Sequence, residues 1–340
     1  MTKLHAFRKT VAILAIALGV AGAACLLPEN PYQRWQLLDG TIHARASWMY
    51  ERIHYDPTPI DVVFVGPSRI GAGVDAPRLT KALAARGLPS NVVNFSLPEA
   101  GRDINAAIVD ELLSRKTPKL LVIGVTEKPS RFGHSTFKYL APREMIVEPG
   151  YIANAHYLGN LVYLPFRQMR LFMADLAPGA MGLRKTFDPS HYRGATIDTT
   201  GSVVLPDGSI KNGDEPASFA ELDRGVRKLE AGMTPPILPA DYADIEFGDE
   251  RHYIRQIAEK ARARGVRVAF LFLPYYTGPS KVQEQRFYET YGPVWNAGFL
   301  SQDAELYSDY GHLTRWGADK LTDWVTDPVS TMLATPEAAK

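Results

Sequence analysis

Four short apolar runs set the fold of this chain before any other feature is weighed. Asp61-Val-Val-Phe-Val65, Asn91 to Phe95, Leu120 to Val125 and Val266 to Leu273 are dominated by β-branched, aliphatic and aromatic residues. Runs of this kind do not alternate apolar and polar, so they read as strands buried on both faces. Helix-spaced segments separate them. One starts near Pro77 and runs through Leu79 and Leu83 to a stop at Gly87, a second covers Ile104 to Leu113, and a third runs from about Glu250 to Arg264 with Gly265 as its C-terminal stop. A further helix is expected around Lys281 to Tyr291, and a final one over Leu313 to Val325. Strand and helix in alternation predict an α/β fold: a three-layer, flavodoxin-like parallel sheet with helices on both faces. A chain of 340 residues with 46% hydrophobic content has ample material for that core.

The alternation lapses between Lys128 and Asp249, where Pro, Gly and aromatics abound and Leu205-Pro-Asp-Gly208 signals a local hairpin. Residues 129–249 are therefore expected as an insertion over the active face, splitting the core into 61–128 and 250–328. Residues 31–60, with Trp35, Trp48 and Tyr50 among scattered charges, read as a helical neck, and the tail from Ala334 to Lys340 as frayed.

Residues 1–30 carry a membrane signal. Lys3, Arg8 and Lys9 precede an uncharged run from Val11 to Leu27 that Pro28 and Glu29 end. At roughly 1.5 Å per residue this run is about 26 Å long, at the short end of what crosses a bilayer core. The positive flank should stay cytoplasmic, which puts the rest of the chain outside, in the periplasm of a bacterial cell held at its inner membrane. A cleaved signal peptide fits the same residues, because Ala21-Gly22-Ala23 supplies small side chains for processing. A lipoprotein site at Cys25 fits less well, with Gly22 where such a site usually has Leu.

Composition excludes several classes of function. Lys plus Arg number 38 against 37 Asp plus Glu, so no excess positive charge exists to hold a nucleic-acid backbone, and nucleic acid is not an expected partner. The single cysteine rules out an intrachain disulfide, a CxxC redox pair and a cysteine-rich zinc site. The His, Asp and Glu residues show no metal-ligand spacing such as HExxH, so neither a metal nor another cofactor is expected.

Two segments fall where a parallel sheet presents its ligand-binding edge, beyond the carboxyl ends of the strands. In Gly66-Pro67-Ser68-Arg69, directly after the first strand, Pro67 biases Gly66 toward extended backbone and so brings the Ser68 hydroxyl to the sheet edge. A serine there also serves as an ordinary helix cap. In Asp309-Tyr310-Gly311-His312, before the last helix, the spacing offers a carboxylate and an imidazole together. A serine hydroxyl is a weak nucleophile at neutral pH. It needs a base within hydrogen-bond reach, and the base needs a third group to fix its tautomer.

A serine after the first strand, a glycine after the second and DxxH before the final helix resemble the block order of the SGNH (GDSL-like) hydrolases. The resemblance covers about Asp61 to Val125 and about Arg251 to Val325. It implies Ser68 as nucleophile, His312 as base and Asp309 as its orienting partner. Asn94-Phe-Ser-Leu-Pro-Glu-Ala-Gly101 resembles the second block, with Gly101 as a backbone donor to the oxyanion or as a simple turn glycine. Two departures stand out. Pro67 replaces the usual Asp of the GDS box, and the third block's Gly-x-Asn is missing, since the third strand runs into Gly124-Val-Thr-Glu-Lys128. Neither Thr126 nor an ionised Glu127 replaces an amide well, and losing one oxyanion donor typically costs about 2.7 to 4 kcal/mol in the transition state. Arg69 is a candidate stand-in, or else one half of a salt bridge at the sheet edge. His134 is a further candidate, against a plain loop histidine. Tyr192, Tyr275 and Tyr276 are candidates to stack on sugar rings, or core aromatics.

The anchored, GSSR-like branch of this family resembles proteins that act on cell-surface polymers, including those of teichoic acid D-alanylation and alginate acetylation. The resemblance implies acyl-ester chemistry through an acyl-serine on an extracytoplasmic polysaccharide or cell-wall polymer. The enzyme is expected to be an acyltransferase, served by a polytopic membrane O-acyltransferase as donor. A carbohydrate esterase with the same triad and a non-catalytic glycan-binding or assembly subunit remain alternatives.

Overall fold

The computed structural model describes residues 2–148, 154–205 and 207–335. The four apolar runs form the parallel strands β1 (Val62–Val65), β2 (Val92–Asn94), β3 (Leu120–Val125) and β4 (Arg267–Phe272), and a fifth strand, β5 (Val294–Asn296), joins them in the order β2-β1-β3-β4-β5. All five pair in parallel, with Val62 opposite Val92 on one side and Leu120 on the other. Side chains along each strand alternate between two cores. Val63, Val65, Leu121 and Ile123 enter one; Val62, Phe64, Leu120 and Val122 enter the other. Both faces of the sheet are thus dry, which is why the strands carry no polar alternation. Chain progress reverses at β1, whose neighbours are β2 on one side and β3 on the other, and that reversal opens a crevice at the carboxyl end of the sheet.

On one face lie α4 (Ser68–Gly73), α5 (Ala76–Ala85) and the C-terminal helix Arg315–Ala334; on the other lie α6 (Arg102–Arg115) and the helix Gly248–Ala263. The segment expected as a neck belongs to this second layer. It forms α2 (Pro31–Gln36) and α3 (Arg45–His54), and Tyr32, Trp35, Trp48 and Met49 are buried in the same core as β1 and β3. Its charges misled the expectation because they are internally satisfied. Buried Arg52 donates to the carbonyls of Ala195, Thr58 and Pro59 at 2.8, 2.7 and 2.6 Å, and Tyr32 donates to Glu51 at 2.5 Å.

Ahead of these comes α1 (Thr2–Cys25), in which His5–Cys25 is long and apolar enough to cross a membrane. The insertion does not act as one cover over the sheet edge. Its longest helix, Tyr157–Leu176, packs along α1 and α2, whereas its helix Phe219–Ala231 and its hairpin, Val203–Val204 with Ile210–Lys211, approach Tyr307–Asp309. The hairpin forms where the turn residues predict it, though Pro206 itself lies outside the described residues, as does the expected frayed tail from residue 336 on. Three expectations near the C-terminus change. The helix around Lys281 to Tyr291 shrinks to Gln285–Glu289, the last helix extends from Arg315 to Ala334, and the DxxH loop is a two-strand turn, Tyr307–Asp309 against His312–Leu313.

Candidate active site

The carboxyl end of β1 delivers Ser68 through a tight turn. Gly66 has φ +154°, and a Cβ on it would stand 3.2 Å from the Cα of Gly124 in β3. Gly124 in turn leaves room for Ile70, since a Cβ there would lie 2.1 Å from Ile70 Cγ1. Paired glycines therefore let the turn sit directly on β3. Asn94, at the end of β2, fixes the helix that follows Ser68 by donating from Nδ2 to the carbonyls of Ile70 and Val74 at 2.9 and 3.0 Å.

The segment Tyr307–Leu313 is pinned to the same edge. The Tyr276 N–H, just past the end of β4, donates to the Tyr310 carbonyl at 2.8 Å, and the Thr314 N–H donates to the Leu306 carbonyl at 2.7 Å. Thr314 then caps the last helix, accepting from the Gly317 N–H at 3.2 Å. Within this frame Asp309 Oδ1 accepts from the backbone N–H groups of Gly311 and His312 at 2.8 and 2.9 Å. Both Asp309 oxygens stand 2.8 Å from His312 Nδ1, and His312 Nε2 stands 2.7 Å from Ser68 Oγ. Burial favours the neutral acid at Asp309, but the His312 hydrogen bond and charge, Lys211 and the Gly311 N–H outweigh it and hold the carboxyl far below its usual range. An ionised carboxylate only accepts, so Nδ1 carries the imidazole proton and Nε2 offers its lone pair to the serine hydroxyl.

No protein-family model matches this chain, and none of the curated proteins matches it either.

Lys211, on the hairpin of the insertion, is the site residue that sequence reading missed. Its Nζ is 3.5 Å from Asp309 Oδ2, and burial lowers its pKa while Asp309 works against that shift. No local pattern marks a lysine 98 residues upstream of its partner.

Other candidates are engaged elsewhere. Arg69, expected at the oxyanion or substrate, forms a two-pronged pair with Glu127 at 2.5 and 3.3 Å, both side chains largely buried. The reason is electrostatic: two opposite charges withdrawn from water at one sheet edge satisfy each other before any ligand does. Glu127, the residue nearest in sequence to the missing asparagine, is consumed in the same pair, and Thr126 Oγ1 donates to the Lys128 carbonyl at 2.9 Å. Gly101 heads α6 with φ +154°, and a Cβ on it would meet the His134 backbone nitrogen at 2.3 Å, so close packing alone demands glycine.

His134 is buried against that glycine. Its ring Nε2 donates to the Pro98 carbonyl at 2.6 Å, Nδ1 accepts from Thr136 N–H at 3.1 Å, and burial pushes its pKa down to about 4. Tyr192 donates to Asp56 at 2.6 Å, Tyr275 donates to Glu230 at 2.9 Å, and Tyr276 packs edge-on against Tyr307. Among the described residues, His43, Glu99 and His134 bring ligand atoms within 4.8 Å of one another, a spacing that suits a metal ion. Because both His134 ring nitrogens are already bonded, seating an ion there would break one of those bonds.

Proposed function

We propose that the chain is an SGNH-like serine acyltransferase acting on O-acyl groups of an extracytoplasmic polysaccharide or cell-wall polymer. The observation that carries this reading is the relay Ser68 Oγ, His312 Nε2, His312 Nδ1, Asp309, with every link at 2.7 to 2.8 Å. Its position at the reversal point of a β2-β1-β3-β4-β5 sheet and the block order of the sequence support the same family.

In this chemistry His312 takes the Ser68 proton as Oγ attacks the acyl carbonyl. The tetrahedral intermediate collapses, the donor's oxygen leaves with that proton, and an acyl-serine remains. A sugar hydroxyl then gives its proton to His312, attacks the acyl-serine and carries off the acyl group, restoring Ser68. Water in place of the sugar would make the same site an esterase. Asp309 stabilises the imidazolium in both half-reactions.

Placement at a membrane favours transfer, because tethering would hold the site beside a polytopic O-acyltransferase that exports donor groups. Support comes from α1 and from the helix packed along it, Tyr157–Leu176, which leaves Leu158, Val162, Phe166, Met169, Met173 and Leu176 exposed as one apolar stripe. The scaffold alternative draws on one feature, the capture of Arg69 and Glu127 by each other where an oxyanion donor is wanted. A fluorophosphonate probe tests the reading: covalent labelling at Ser68 that disappears in His312→Ala supports it, and an unreactive Ser68 rejects it. Incubating the protein with an activated acyl ester and oligosaccharide separates transfer, which gives ester on the sugar, from hydrolysis, which gives free acid.

A further inference from the structure

A cavity of about 540 Å³ lies between the start of α3, with the residues 40–44 just before it, and the segment 193–205 of the insertion. Two arginines line it. Arg45 is half-buried, and its Nη1 is out of reach of solvent with no hydrogen-bond partner; Arg193 is exposed. Among the described residues neither guanidinium has a hydrogen bond or an ion pair, and the charge that acts on Arg45 is Arg193 itself. Burial first, and Arg193 second, push the Arg45 pKa down to about 10, which leaves it protonated at neutral pH. Asp198, the carboxylate in the cavity lining, is already held by Arg315 at 3.0 Å and by the Thr200 N–H and hydroxyl at 2.8 and 2.7 Å.

Other buried arginines of this protein are spent. Arg52 binds three carbonyls, Arg102 binds Glu250 at 2.7 Å, and Arg167 donates to the Ala141 carbonyl at 2.6 Å. A withdrawn guanidinium with no counter-charge is costly, and a second positive charge beside it raises the cost, unless a bound anion offsets both. Planar guanidinium groups match carboxylate and phosphate oxygens two at a time.

Two of the lining residues, Arg45 and Thr199, reach the helix that carries Ser68. Gly71 lies three residues after Ser68 and so shares its helix face. A side chain on Gly71 would start 3.7 Å from Arg45 Nη2 and 2.8 Å from the buried, unpartnered Ser96 hydroxyl, while the Thr199 hydroxyl donates to the Gly71 carbonyl at 2.5 Å.

We propose that this cavity seats the carboxylate or phosphate of an anionic sugar residue in the polymer, placing a neighbouring hydroxyl at Ser68. The inference rests on the acyl-serine reading for its place in a reaction, but the binding it requires is measurable without turnover. Calorimetry on the purified full-length protein in detergent, at fixed salt, would compare tetragalacturonate, a glycerol-phosphate oligomer and cellotetraose. At least one anionic oligomer should bind about tenfold or more tightly than the neutral one, and whichever does names the anionic group. Arg193→Gln and Arg45→Gln should each remove most of that preference. Arg193 is exposed, so its variant keeps the comparison valid should the Arg45 variant not fold. Equal binding of charged and neutral oligomers, or a preference that survives Arg193→Gln, overturns the proposal. Fluorophosphonate labelling of the wild-type protein is the separate readout: labelling without anion preference rejects this cavity alone, and anion preference without labelling rejects the acyl-serine chemistry alone.

Discussion

His312 Nε2 stands 2.7 Å from Ser68 Oγ across 244 residues of sequence, and the opposite ring nitrogen is held by a carboxylate that two backbone N–H groups also grip. The arrangement demands a single tautomer, so its disruption should appear in rate and not in folding. Asp309→Asn keeps an oxygen for the N–H groups but lets the amide present a donor to Nδ1, turning the proton toward Nε2. Fluorophosphonate labelling of Ser68 should slow by about 10³ to 10⁴-fold, with circular dichroism unchanged. Lys211→Gln removes a half-exposed charge 3.5 Å from Asp309 and should slow labelling by about fivefold at most. An Asp309→Asn protein that labels at the wild-type rate would remove the carboxylate from the mechanism.

The serine turn depends on the contact between Gly124 and Ile70. Gly124→Ala would put a methyl 2.1 Å from Ile70 Cγ1, and that side chain is fully enclosed. Overpacking of this kind costs about 1 to 3 kcal/mol. Because Ile70 is two residues from Ser68, the strain should reach the hydroxyl. Thermal unfolding should show the lost stability, and labelling of Ser68 should slow in the same protein. A variant as stable and as reactive as the wild type would mean the turn is not seated on β3.

Asp249 and Asp103 form a buried acidic pair beside the start of α6. Burial raises the pKa of both; the Asp249 charge adds to the shift at Asp103, and the Glu250 charge adds to the shift at Asp249. A carboxyl whose folded pKa lies above its unfolded value near 4 stabilises the fold below about pH 4, and that contribution is lost as pH rises through the raised value. Asp249→Asn retains an oxygen for the Arg102 N–H, which Asp249 accepts at 3.1 Å, and carries no charge at any pH. The variant should therefore melt higher than wild type at pH 8 and about equally at pH 4. Parallel melting curves at both values would show that the pair ionises freely.

How far the sequence announced all this depends on whether a feature is local. The apolar runs of β1 and β3 reveal themselves because burial on both faces leaves no choice of residue, and Leu120–Val125 forms over the expected span. The edge strand Val294–Asn296 escapes notice because three residues after Pro293 carry no periodicity. The segment 31–60 is harder to place for another reason: Arg52 and Glu51 look solvated in sequence, and they are buried because distant partners, Ala195 and Arg184, join the local ones, Thr58, Pro59 and Tyr32. Ser68, Asp309 and His312 could be singled out because each lies at the end of a recognisable element. Lys211, Arg45 and Arg193 could not, since their meaning comes from what the insertion and α3 bring to, or keep from, each guanidinium and amine.

The Arg69–Glu127 pair supplies the last test, because it separates a structural clamp from a catalytic cation. Both side chains are largely enclosed, and Arg69 also lies over the Tyr275 ring at 5.6 Å. Removing one partner from a buried pair leaves the other charge uncompensated, at a cost of about 3 to 5 kcal/mol, whereas removing both leaves mainly a cavity. Glu127→Ala and Arg69→Ala should each destabilise strongly, and the double variant should be more stable than the sum of the two losses predicts. If Arg69 only clamps the sheet edge, the double variant should regain labelling of Ser68 in proportion to its stability. A double variant that folds well but leaves Ser68 unreactive would instead make Arg69 part of the chemistry, freed from Glu127 when substrate arrives.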